Sequence, residues 1–84
     1  MNIAMGLIIV MEKIVSEILA NYAELGNSFD NALLFTELAG WDSLKHVQFI
    51  LDVEKKFEIK MTPEQLVLST SVDSVVAAIR MHKE

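Results

Sequence analysis

Met11, Ile14, Ile18, Tyr22 and Leu25 recur at i, i+3, i+4 spacing, with Val15 and Leu19 widening the stripe. That pattern predicts an amphipathic helix from about Val10 to Leu25, with Glu12 near its start and Gly26-Asn27 as its stop. Residues 26 to 42 follow as a long connection whose Leu33, Leu34, Phe35 and Leu38 suggest packing across other elements, with room for a short helical turn. A second helix is expected after Gly40-Trp41, capped by Asp42 and running from Ser43 to about Phe57. On its wheel, at roughly 100° per residue, Val47, Phe49, Ile50, Val53 and Phe57 share one broad face, and Leu44 and Leu51 fall outside it beside Gln48 and Lys55.

Thr62-Pro63-Glu64-Gln65 announces a third, short helix. It is a T-x-x-Q capping box with proline at the first helical position. Thr70 and Asp73 form a second possible box, ahead of the stripe Val72, Val75, Val76 and Ile79 of a fourth helix. The expected fold class is all-α: an irregular four-helix bundle of three longer helices and one short one. The stretch Met1 to Met11 is uncharged and almost wholly apolar, too short to span a bilayer, and without the basic start or cleavage site of a secretory signal. It reads as an apolar lead-in at residues 1–10 to a single domain at residues 11–84, with Met5 and Met11 as alternative starts. A cytoplasmic monomer is expected.

Composition narrows the chemistry. The chain has 84 residues, 52% of them hydrophobic and 23% charged, which is globular rather than disordered. It has no cysteine, so thiolate metal sites, disulfides and a cysteine nucleophile are excluded. A net charge of −5 lacks the basic face that nucleic acid requires. The two histidines, His46 and His82, fit no metal-ligand spacing, and neither a phosphate loop nor a G-x-S-x-G elbow occurs. No catalytic residue and no metal ligand is assigned, and the chain is not expected to be an enzyme.

Of the serines at 16, 28, 43, 69, 71 and 74, only Ser43 joins a helix N-terminus to a long preceding loop. Backbone N–H groups there lack intrahelical partners, and the helix dipole favours a negative group, so a phosphodiester on this oxygen would be well placed. A serine at a helix start has a plainer explanation too, since it caps and tolerates that geometry. Leu44 and Leu51 are one helical repeat apart on the polar side, and fit either a partner-docking strip or burial under the long loop. His46 and Trp41 are expected to pack rather than to react.

Gly40-Trp41-Asp42-Ser43-Leu44 resembles the G-x-D-S-L motif of acyl carrier proteins. The likeness continues through Val47, Phe49, Ile50 and Val53 to the run Glu54 to Ile59, and takes in Leu38, Thr62-Pro63 and the last helix. It implies a 4′-phosphopantetheine arm, taken from coenzyme A by a phosphopantetheinyl transferase and attached to Ser43. The arm's thiol would carry acyl or aminoacyl groups as thioesters to loading and processing enzymes, which accounts for the missing cysteine. The resemblance also implies that Asp42 is read by the transferase and that Leu44 faces partners; Lys45, Gln48 and Leu51 join them as expected recognition residues. Between Asp42 and Glu58 four acids meet three lysines, a weaker acidic field than carriers of primary fatty acid synthesis have. The run Trp41 to His46 looks more like carriers of specialised pathways, an aminoacyl or D-alanyl carrier among them. An armless interaction module using the same helix is the competing reading.

Overall fold

The computed structural model describes residues 3–83, with side chains from Met5 onward. Four helices form in chain order: α1 (Ile3–Leu19), α2 (Ser43–Phe57), α3 (Pro63–Leu68) and α4 (Val72–Lys83). A single 3-10 turn, Phe35–Glu37, lies in the long α1–α2 connection, and no strand occurs among the described residues. The protein is an all-α bundle of three longer helices and one short one.

Both ends of α1 differ from the periodicity. The helix begins well before Val10, because Ile3 to Val10 contains no breaker stronger than Gly6, and Met5, Leu7, Ile9 and Val10 project into solvent from it. Met1 and Asn2, part of the expected lead-in, lie outside the described residues. At the other end α geometry stops at Leu19 rather than Leu25. Asn21 N–H donates to Ile18 O (3.0 Å) and Tyr22 N–H to Leu19 O (2.9 Å), tightening the last turn to 3-10 spacing. The chain turns there so that the Tyr22 hydroxyl donates to the Asp52 carboxylate on α2. Tyr22 and Leu25 still pack against the core. The apolar periodicity therefore reported burial beyond the point where the helix ended.

α1 packs on both α2 and α4. Val15 and Leu19 from α1 meet Phe49, Ile50 and Val53 of α2 and Val72, Val75, Val76, Ala78 and Ile79 of α4 in one core. Phe35 and Leu38 of the long connection and Met61 between α2 and α3 close it. The rings of Phe35 and Phe49 meet edge to face with centroids 5.2 Å apart, a geometry the ring quadrupole favours by about 0.5–1.5 kcal/mol beyond burial.

Hydrogen bonds hold the connection in place. Phe35 N–H donates to Thr70 O (2.8 Å), Asp73 N–H to Asn31 O (2.9 Å), and the Asn31 side chain to a Glu12 oxygen (2.9 Å). The long loop is thus tied to both α1 and the start of α4.

The expected caps form at α2 and α3. At α4 the cap is not the Thr70/Asp73 pair: Ser71 and Ser74 cap reciprocally, with Ser74 N–H donating to Ser71 Oγ (3.3 Å) and Ser71 N–H to Ser74 Oγ (2.9 Å). Thr70 is spent elsewhere, its carbonyl on Phe35 and its N–H on Ser74 Oγ (2.9 Å). α2 ends on Glu58 in the left-handed region (φ 56°), where Ile59 N–H reaches back to Glu54 O at 3.0 Å.

Candidate functional site

The chain enters α2 through Gly40, whose φ of +75° is open to glycine at little cost and strained for other residues. Asp42 stands next, in extended geometry, and its carboxylate accepts from Lys45 N–H at 2.8 Å, while His46 N–H donates to the Asp42 carbonyl at 3.0 Å. This cap leaves Ser43 as the first residue of the helix, exposed, with a hydroxyl that makes no hydrogen bond among the described residues.

The other serines differ. Ser16 Oγ donates to Glu12 O (2.8 Å), Ser69 Oγ to Gln65 O (2.7 Å), and Ser71 and Ser74 are absorbed in the α4 cap. Ser28 is exposed but sits in a turn, away from any helix N-terminus. Ser43 alone combines a free hydroxyl with a helix N-terminus whose dipole and unpaired N–H groups favour an anion.

Beside Ser43 lies an open cavity of about 400 Å³, at the small end of ligand-sized cavities. Phe35, Thr36, Trp41, Asp42, Ser43, His46, Val47, Leu66, Val67 and Thr70 line it. The Trp41 ring packs against Phe35 (5.2 Å between centroids), Phe49 (5.9 Å) and His46 (6.0 Å), so Trp41 anchors the loop as its type suggested. His46 is half-buried, and its Nε2 lies 3.1 Å from Leu66 O on α3. A carbonyl only accepts, so this bond requires the hydrogen on Nε2.

Leu44 and Leu51 are 65% and 56% exposed, so the long loop does not cover them. Val47, placed by the wheel on the buried face, is exposed as well and lines the cavity. It lies one turn from Ser43 on α2. Val67 and Leu68 add two exposed apolar residues on α3. Gln48 is exposed, whereas Lys45 is half-buried, its Nζ 3.2 Å from where a β-carbon on residue 40 would stand.

Sequence reasoning did not name Phe35, Thr36, Leu66, Val67 or Thr70 as site residues. They come from three separate segments, and no local spacing links them to Ser43. The adjacent apolar pair Val67-Leu68 on a six-residue helix was the one visible sign.

An exposed serine thus opens a helix next to a small apolar cavity in an all-α bundle. The family model for the phosphopantetheine attachment site matches residues 13–79, and the chain belongs to that family. It is a phosphopantetheine-carrying protein, in a family whose domain is the site of covalent 4′-phosphopantetheine attachment. Comparison with curated proteins finds no match. The residues present fit the group: the free hydroxyl of Ser43 can take a phosphodiester, and the space beside it is open. Among the described residues no helix is long and apolar enough to cross a membrane.

Proposed function

We propose that this chain is an acyl carrier protein in which Ser43 bears the 4′-phosphopantetheine arm. The observation that carries the reading is the free Ser43 hydroxyl at the first position of α2, where no other serine competes. In the loading step the Ser43 oxygen bonds to the coenzyme A phosphorus that carries the pantetheine. The pyrophosphate bond breaks, adenosine 3′,5′-bisphosphate leaves, and the hydroxyl proton passes to a base of the transferase. When bound, the group supplies the thiol that holds the cargo as a thioester. The protein's own part is to orient and shelter: the α2 N-terminus would hold the phosphodiester, and Asp42 fixes that helix end while offering an exposed carboxylate for the transferase to read.

Leu44, Gln48 and Leu51 form the strip that partner enzymes dock against, with Val67 and Leu68 extending it onto α3. Lys45, folded towards Gly40, contributes charge near the arm rather than a free contact at the strip. With four acids offset by three lysines between Asp42 and Glu58, docking rests on apolar contact more than on electrostatic steering. That balance supports a place in a specialised pathway served by its own loading and processing enzymes, and we place the protein in the cytoplasm. The family match over residues 13–79 supports a single carrier domain at residues 11–84, which we read as a monomer.

Incubation with coenzyme A and a promiscuous transferase should add one phosphopantetheine mass to the wild-type chain and none to Ser43→Ala. A Ser43→Ala variant that still gains the mass defeats the assignment.

A further inference from the structure

We infer that His46 sets the cargo of this carrier, restricting the cavity beside Ser43 to short, uncharged acyl groups. The inference rests on the carrier reading proposed above.

Three observations carry it. The first is depth. The fully buried residues of α2, Phe49, Ile50 and Val53, do not line the cavity, whose inner wall is Phe35, itself packed edge-on against Phe49. A chain entering from Ser43 meets that aromatic wall before it meets the core.

The second is the clasp. Further depth could come only from separating α3 from α2, and His46 Nε2 bridges the two at Leu66 O (3.1 Å). No residue of α3 is fully buried and Leu66 alone of its apolar residues packs against the core, so a polar tie carries weight here. The other histidine acts on the same element. His82 Nε2 of α4 lies 2.8 Å from Gln65 Oε1, the atom that also accepts from Thr62 N–H at the start of α3. His82 fastens the outer side of α3, and His46 fastens the side that faces the cavity.

The third is polarity. Asp42 is the only charged residue in the lining, and it is exposed, with one carboxylate oxygen committed to the helix cap. The ammonium of an aminoacyl cargo would find no carboxylate to pair with beyond exposed Asp42 and would lose hydration on entry. Phe35, Trp41, Val47, Leu66 and Val67 instead suit an uncharged chain.

The test loads Ser43 from acetyl-, hexanoyl-, dodecanoyl- and alanyl-coenzyme A with a promiscuous transferase. Release of each acyl group by hydroxylamine is then timed against the same free coenzyme A thioester. Hydroxylamine nitrogen bonds to the thioester carbonyl, the C–S bond breaks, and hydroxamate and free thiol result. Hexanoyl should be protected about tenfold, several buried methylenes being partly offset by ordering the arm. Acetyl and alanyl should be unprotected, and dodecanoyl should gain nothing over hexanoyl. Trp41, the single tryptophan of the chain, lines the cavity, so its fluorescence should shift with hexanoyl and not with alanyl. His46→Ala should raise dodecanoyl protection above the wild-type value, and His46→Gln, which can still donate to Leu66 O, should restore the wild-type order.

Dodecanoyl better protected than hexanoyl in the wild type overturns the inference while leaving the carrier reading intact. So does a flat profile across all four cargoes, or alanyl protection equal to hexanoyl. The wild-type profile decides this even if His46→Ala fails to fold. Failure of Ser43 to accept any arm removes the carrier reading itself, and the inference with it.

Discussion

α3 and α4 stand next to each other in the chain, both capped through their own side chains, and they are held in opposite ways. α4 buries Val72, Val75, Val76, Ala78 and Ile79 in the common core. α3 fully buries none of its residues, only Leu66 packing against the core, and it relies on polar ties: the Thr62–Gln65 box, Ser69 Oγ to Gln65 O, and the two histidines. The difference separates two jobs within one small bundle. Burial is non-directional and scales with area, so it suits an element that must stay put. A handful of hydrogen bonds, each worth about 0.5–1.5 kcal/mol net, suits an element that borders a cavity and can yield to an occupant.

The largest effect should come from the element held by burial. Ile79→Ala removes a fully buried side chain and should cost about 2–5 kcal/mol in urea unfolding, with the whole bundle lost together. A loss under 1 kcal/mol would mean that α4 is not the structural element described. Next comes the element held by polar ties. Thr62→Ala removes the oxygen that accepts from Gln65 N–H (3.1 Å) and should cost about 1 kcal/mol. Its signature is location: amide exchange should accelerate in residues 63–68 and stay unchanged in α4. Equal acceleration in both helices would erase the contrast between them.

The smallest effect concerns a polar tie between elements that burial already holds, the Tyr22–Asp52 bond joining the end of α1 to α2. The hydrogen bond to Asp52, then burial, then the Asp52 charge raise the Tyr22 pKa above its ordinary value of 10.0. Because the native value is the higher one, the stabilisation is fully present below pH 10 and is lost as pH climbs through the raised native value. An absorbance titration should find the Tyr22 phenol ionising above the ordinary tyrosine range, and Asp52→Asn should bring it down. Thermal stability at neutral pH should change little in that variant, since Phe49 and Val53 still hold α2 to α1. A large loss there would mean that the tie, rather than burial, joins these helices.

The carrier bundle was readable because its strongest signals are local. The Asp42 and Thr62 caps join groups three residues apart, and the chain around each cap carries what the cap needs. The same locality misleads where a distant partner competes. Thr70 had the sequence of a cap residue, but the long loop claims its carbonyl through Phe35, and Ser71 caps α4 instead. Periodicity carried the α1 prediction past Leu19, because Tyr22 and Leu25 pack partly buried against the core without being helical.

Ser43 shows the division most clearly. The sequence by itself determined that a serine opens α2 behind an aspartate cap, since both follow from neighbours and from the G-x-D-S-L pattern. Tertiary structure decided that this hydroxyl is free while Ser69 and Ser71 are buried, and that a cavity of about 400 Å³ lies beside it. It also joined His46 to Leu66 across twenty residues, a bond no spacing rule contains. The physical reason is range. Caps, turns and helical stripes are set by interactions within one or two turns of chain, whereas exposure, cavities and clasps exist only once separate elements meet.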